Sequence, residues 1–117
     1  MITGLHHFSI IASSEESVAF YSKLGFREYK RMERKYDTVV LMYGHGLGLE
    51  IFIDPSHPPR ATKPENMGLR NVALRVDKIE ETVEELGLEA GPIMTDWVGV
   101  KFCFIADPDG LPVQLHE

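Results

Sequence analysis

A single cysteine, Cys103, stands in 117 residues, so no internal disulfide framework is available to this chain. Long apolar runs are missing too, and nothing approaches the roughly 20 consecutive apolar residues of a membrane span. The first ten residues, MITGLHHFSI, lack both the basic start and the apolar core of a secretory signal. Positive charge is scarce: 12 Lys and Arg stand against 18 Asp and Glu, a formal net charge of −6. No basic stripe offsets this locally, which argues against binding a nucleic-acid backbone. A cytoplasmic protein with a small-molecule ligand, no nucleic acid and no membrane is the expectation. What the chain does have is 44% hydrophobic and 26% charged residues, the balance of one folded domain with enough length to bury a core.

Self-similarity is the most informative feature. GLHHFSII (4–11) is echoed by GLRNVALR (68–75), and GLGLEI (46–51) by GLPVQL (110–115), both at an offset of 64. After the first member of each half comes a helix-start signal, SSEE (13–16) or DKIE (77–80), with the spacing of a capping box. Apolar residues then recur at helical intervals, Val18, Tyr21 and Leu24 in one run, Ile79, Val83 and Leu86 in the other. Gly25 and Gly87 follow as C-terminal stops. Two further strands fit into each half, REYKRME and TVVLMY in the first, GPIMTD and KFCFIA in the second. The prediction is an α+β fold: two βαβββ modules, 4–53 and 68–117, joined by a Pro-rich linker at 54–67. Together they form one domain, 1–117, whose curved mixed sheets make a cup.

Strand alternation sorts the side chains by face. His6, Phe8, Ile10 and Ala12 share the more apolar side of the first strand and belong under the helix. Leu47, Leu49, Ile51, Ile53, Val113 and Leu115 do the same in the last strands. The opposite faces then carry His7, Ser9, Glu50, Phe52, Asn71, Ala73, Arg75, Gln114 and His116. Any one of these is most simply solvated. The combination is less ordinary, because His7 and Glu50 correspond through the repeat to Asn71 and Gln114. His45, in a turn, and His57, among prolines, read as solvent-facing, and Cys103 reads as core or interface.

On LHHFSIIASSEESVAFYSKLGF, LGLEIF, PENMGLRNVALRVDKIEETVEEL and FIADPDGLPVQL, the chain resembles the vicinal oxygen chelate superfamily. That superfamily is the fold of glyoxalase I, fosfomycin- and bleomycin-resistance proteins and extradiol dioxygenases. The resemblance implies a homodimer and a divalent metal (nickel, zinc, cobalt, manganese or iron). Its ligands would come from the first and last strands of each half. Carried over, those positions are His7, Glu50, Asn71 and Gln114, so the first pair fits the pattern and the second replaces imidazole and carboxylate by amides. Amide oxygens are weak partners for nickel, zinc or cobalt, and the site is degenerate on that account. If metal is held, the resemblance implies a lyase or isomerase of lactoylglutathione lyase type, acting on a carbonyl or enediolate substrate. Glu50 would then be ligand and catalytic base and Arg75 the anchor for a substrate carboxylate. Ser9, Phe52, Asn71, Gln114 and His116 would line the substrate. If it is not, the same hollow is a metal-free binding site of the antibiotic-resistance type.

Overall fold

The computed structural model describes residues 1–117. The chain forms two compact units, Met1–Pro59 and Arg60–Glu117. In the first, strand β1 (His7–Ala12) leads to helix α1 (Glu16–Lys23), then to β2 (Arg27–Glu33), β3 (Thr38–Gly44) and β4 (Leu47–Ile53). The second repeats the sequence with β5 (Val72–Arg75), α2 (Ile79–Leu86), β6 (Met94–Thr95), β7 (Lys101–Ala106) and β8 (Pro112–His116). Each unit is thus βαβββ, as the repeat predicts.

Sheet order is β1-β4-β3-β2 in one unit and β5-β8-β7-β6 in the other. In both, the first strand runs parallel to the last and every other pair is antiparallel. The pairing repeats in register: Ser9 faces Glu50, and Ala73 faces Gln114. A parallel pair needs a long crossover, here a helix and two strands, which is why the first and last strands of a unit end up side by side.

One sheet face is buried in each unit. Ile10, Ala12, Val40, Met42, Leu49 and Ile51 join Val18, Tyr21 and Leu24 of the α1 segment in the first core. Ile79, Cys103, Ile105, Val113 and Leu115 form the second. A fully buried side chain of this size contributes about 1.5–3 kcal/mol relative to an exposed one. The alternate positions, His7, Ser9, Ala73 and Arg75, are exposed, and Glu50, Phe52, Asn71, Gln114 and His116 are half-buried. His6 departs from its expected place under the helix: it precedes β1, is exposed, and lays its ring against that of His7.

Helix ends follow the glycines, and the start of α2 does not follow its capping box. Gly25 takes a φ of 100°, and the N–H groups of Gly25 and Phe26 bond the carbonyls of Ser22 and Tyr21. Gly87 and Leu88 bond Glu84 and Val83 in the same way, so both helices close in Schellman geometry. At the starts, α1 begins behind Glu15 and α2 behind Lys78, and neither residue's side chain makes a cap. Ser14 Oγ accepts from Glu16 N–H at 3.2 Å, while the first amide of α2, on Ile79, donates to the Glu117 carboxylate at 3.1 Å. A group 38 residues away supplies what the local motif was expected to give.

The strand read at GPIMTD shrinks to Met94–Thr95. Gly91 donates to the carbonyl of Phe104 before the strand starts, and Pro92 has no N–H to pair. Asp96 then ends it: its Oδ1 accepts from the amides of Val98 and Val100, folding a tight turn that carries Trp97 almost fully exposed. The turn between β7 and β8 repeats this device, with Asp107 Oδ1 accepting from Asp109 and Leu111. No helix is long and apolar enough to cross a membrane.

Candidate functional site

The first unit brings His7 and Glu50 together. Glu50 pairs with Ser9, two residues beyond His7 on β1, so the two side chains project diagonally from the same face. His7 Nε2 lies 3.4 Å from Glu50 Oε2. Gly48, opposite His7, makes room for the imidazole: a Cβ there would stand 2.9 Å from His7 Cβ and 3.0 Å from the His6 carbonyl oxygen. The other ring nitrogen of His7, Nδ1, lies 2.8 Å from His6 Nδ1. One of those nitrogens donates and the other accepts, so His6 holds the tautomer and plane of its neighbour.

The second unit repeats the diagonal with different chemistry. Asn71 Nδ2 lies 3.4 Å from Gln114 Oε1, a long amide–amide hydrogen bond. Each pair is therefore assembled within its own module from residues of the first and last strands.

Several other expected site residues are occupied. Arg34 stacks its guanidinium over the Phe52 ring, 5.4 Å from the centroid, and is itself held by a bidentate contact with Asp37. Phe52 is thus not an open stacking surface. The two ring nitrogens of His116 lie 3.0 Å from Asp96 Oδ2 and 2.9 Å from the Glu117 carbonyl oxygen, both of them acceptors, and the ring stacks on Phe102. It braces the β6–β7 turn. The Asp96 carboxyl is held below its ordinary range, first by the Val100 amide and further by Val98 and His116. Ser9 and Arg75 remain exposed on their strands. His45, read as solvent-facing, is exposed, and it also bonds the Leu24 carbonyl at 2.8 Å and packs edge-on against Phe26.

A cleft of about 590 Å³ lies within the second unit, which the strand pattern alone does not reveal. Phe104, Ala106 and Pro112 supply its apolar floor, and Arg60, Asn71 and Glu89 are among its polar walls. Arg60 and Thr62 come from the Pro-rich stretch, whose composition suggested only a connector. Asn71 belongs both to this cleft and to the amide pair.

The donor set can be tested against the metal that the family resemblance implies. Two ligands of a tetrahedral centre at 2.0–2.1 Å stand about 3.3 Å apart, a separation the His7–Glu50 pair meets. The amide pair does not meet the need. To present two oxygens, Asn71 would have to turn its amide and give up its bond to Gln114 Oε1. The second unit's pair would offer a doubly charged ion no carboxylate, only neutral amide oxygens too hard for nickel, zinc or cobalt. That pair does not fit such an ion.

Residues 4–115 match the family described as Glyoxalase/Bleomycin resistance protein/Dioxygenase superfamily. The uncharacterized protein YwkD of Bacillus subtilis (strain 168) is 40% identical, over 100% of this chain and 98% of its own. A glyoxalase family protein from Enterococcus faecalis has a crystal structure that superposes with a TM-score of 0.89 at 38% identity, covering 97% of both chains. More remotely, a lactoylglutathione lyase from Agrobacterium tumefaciens shares the fold with a TM-score of 0.70 at 17% identity, over 99% of this chain and 94% of its own. The duplicated βαβββ topology, the match along nearly the whole sequence and these likenesses agree: the chain belongs to the glyoxalase/bleomycin resistance protein/dioxygenase superfamily.

Proposed function

We propose that this protein is a small-molecule binding member of its superfamily that works without a tightly held transition metal. A single observation carries the reading: the second module's diagonal slot holds two amides bonded to each other, Asn71 to Gln114, where imidazole and carboxylate would be needed. An amide pair joined by one hydrogen bond costs little to keep and leaves three N–H donors and unused lone pairs for an organic ligand. The adjoining cleft has the volume and the mixed apolar and polar lining of a ligand site. Setting and assembly follow the family resemblance: a cytoplasmic homodimer.

A second reading, a lyase or isomerase of lactoylglutathione lyase type, draws on the 3.4 Å separation of His7 and Glu50. In that reading Glu50 removes a proton alpha to a substrate carbonyl, and Arg75 anchors a substrate carboxylate. Metal analysis separates the two. After equilibration with zinc, nickel, cobalt or manganese and exhaustive dialysis, the wild-type chain should retain well under one ion. The double variant Asn71→His/Gln114→Glu should approach one. Stoichiometric metal in the wild type, lost together with lyase activity in Glu50→Gln, refutes the metal-free reading and establishes the second.

A further inference from the structure

The cleft of the second unit holds one guanidinium with no direct ion pair. Of its two arginines, Arg70 is spent: its Nε and Nη2 reach the Glu65 carboxylate at 3.1 and 2.9 Å. That contact, with a smaller contribution from the charge of Arg60, holds the Glu65 carboxyl below its usual range, so the Arg70–Glu65 pair is ionised. Arg60 differs. It is half-buried, its Nη2 donates to the Arg70 backbone carbonyl at 2.8 Å, and it makes no ion pair. A guanidinium has five N–H donors, so four remain after that bond, in a fork fixed by the carbonyl. Glu89, the other unpaired charge on the wall, is exposed and therefore solvated. A partly desolvated cation counts for more in ligand choice than a carboxylate already in water.

The same cleft has an apolar lining that includes the half-buried Phe104 and Pro112. Asn71 adds directional amide donors at the wall. We infer that the cleft takes a small organic carboxylate, its charge on the Arg60 guanidinium and its planar apolar body on Phe104 and Pro112. The inference rests on the small-molecule reading above and narrows it to a ligand class. The chain's net charge of −6 opposes anions at long range. Selection is therefore local to Arg60, and added salt, which screens the distant repulsion more than the contact pair, should leave binding largely intact.

Isosteric probes test the class. Amide-resolved NMR titrations of the full chain, in chelator, with 2-naphthylacetate and with its neutral amide should show the acid shifting Asn71 and Phe104. The acid should bind about tenfold or more tightly than the amide, the difference expected of one charge-assisted contact. Arg60→Gln keeps a donor for the Arg70 carbonyl and should erase that preference, and Arg60→Lys should restore part of it. A wild-type spectrum and melting temperature in each variant show that the fold survives. Equal binding of acid and amide overturns the carboxylate assignment and leaves a small-molecule site standing. Tighter binding of 2-naphthylethylamine assigns the cleft to Glu89 instead and overturns the inference. If none of the three probes moves a cleft residue, the inference fails along with the cleft as a ligand site.

Discussion

Replacing Gly48 by alanine tests how the His7–Glu50 pair is built. Gly48 sits opposite His7 in the β1–β4 pair, and an added methyl would meet His7 Cβ at 2.9 Å and the His6 carbonyl oxygen at 3.0 Å. Neither atom is the free end of a flexible side chain, so β1 itself must retreat. Overpacking of this kind costs typically about 1–3 kcal/mol. Alanine also narrows the unfolded ensemble, which offsets about 0.4–1 kcal/mol. The net loss is about 0–2.6 kcal/mol, centred near about 1 kcal/mol, and for a chain of this length the melting temperature should fall by about 4 °C per kcal/mol. The assay is urea and thermal denaturation beside Gly4→Ala, whose new methyl meets nothing within 4 Å. Proton signals of the His7 ring should move in Gly48→Ala and stay put in the control. An unchanged midpoint with unmoved His7 resonances would show that the slot opposite the imidazole is not what admits it.

Other perturbations follow from single contacts. Glu117→Ala removes the acceptor for the Ile79 amide and should cost about 1 kcal/mol, read as faster hydrogen exchange in the first turn of α2. Asp96 has its folded pKa below its unfolded one, so its support of the β6–β7 turn is complete above the ordinary carboxylate range. That support is lost as pH falls through the folded value. Fluorescence anisotropy of Trp97, the sole tryptophan, should therefore drop in acid, and Asp96→Asn should abolish that titration. Cys103 is fully buried, and burial pushes its thiol pKa up. A thiol reagent should label it only at the rate of unfolding; rapid labelling of native protein would contradict its placement.

The fold was legible because duplication writes itself twice. Two matches at one offset predicted two βαβββ modules, and the register repeats it down to Ser9 with Glu50 and Ala73 with Gln114. Gly25 and Gly87 were readable as helix stops, because a left-handed turn leaves a local mark. The start of α2 was not, since Glu117 reaches Ile79 from the far end of the module. His45 illustrates the same limit: its partner, the Leu24 carbonyl, lies 21 residues away and no spacing rule links them. Period-two alternation placed His7 and Glu50 on one face, and the structure sets them 3.4 Å apart. Alternation could not foresee that Arg34 covers Phe52 or that Asp96 engages His116, because both covers come from loops. Arg60 escaped notice for a related reason: composition described its surroundings as a connector, and only tertiary packing turned it toward a cleft.

The parallel seam between opening and closing strands has a temporal consequence. Its diagonal partners, 7 with 50 and 71 with 114, are separated by nearly a whole module of sequence, 43 residues for the amide couple. Hairpins such as that between β3 and β4 can zip locally, but this seam must wait until the chain has doubled back on itself. During synthesis, each diagonal pair comes into being only when the final strand of its repeat leaves the ribosome. Moving a module's ends to the His45–Gly46 turn would bring β4 ahead of β1 in the chain, turning the slowest contact of that half into an early one.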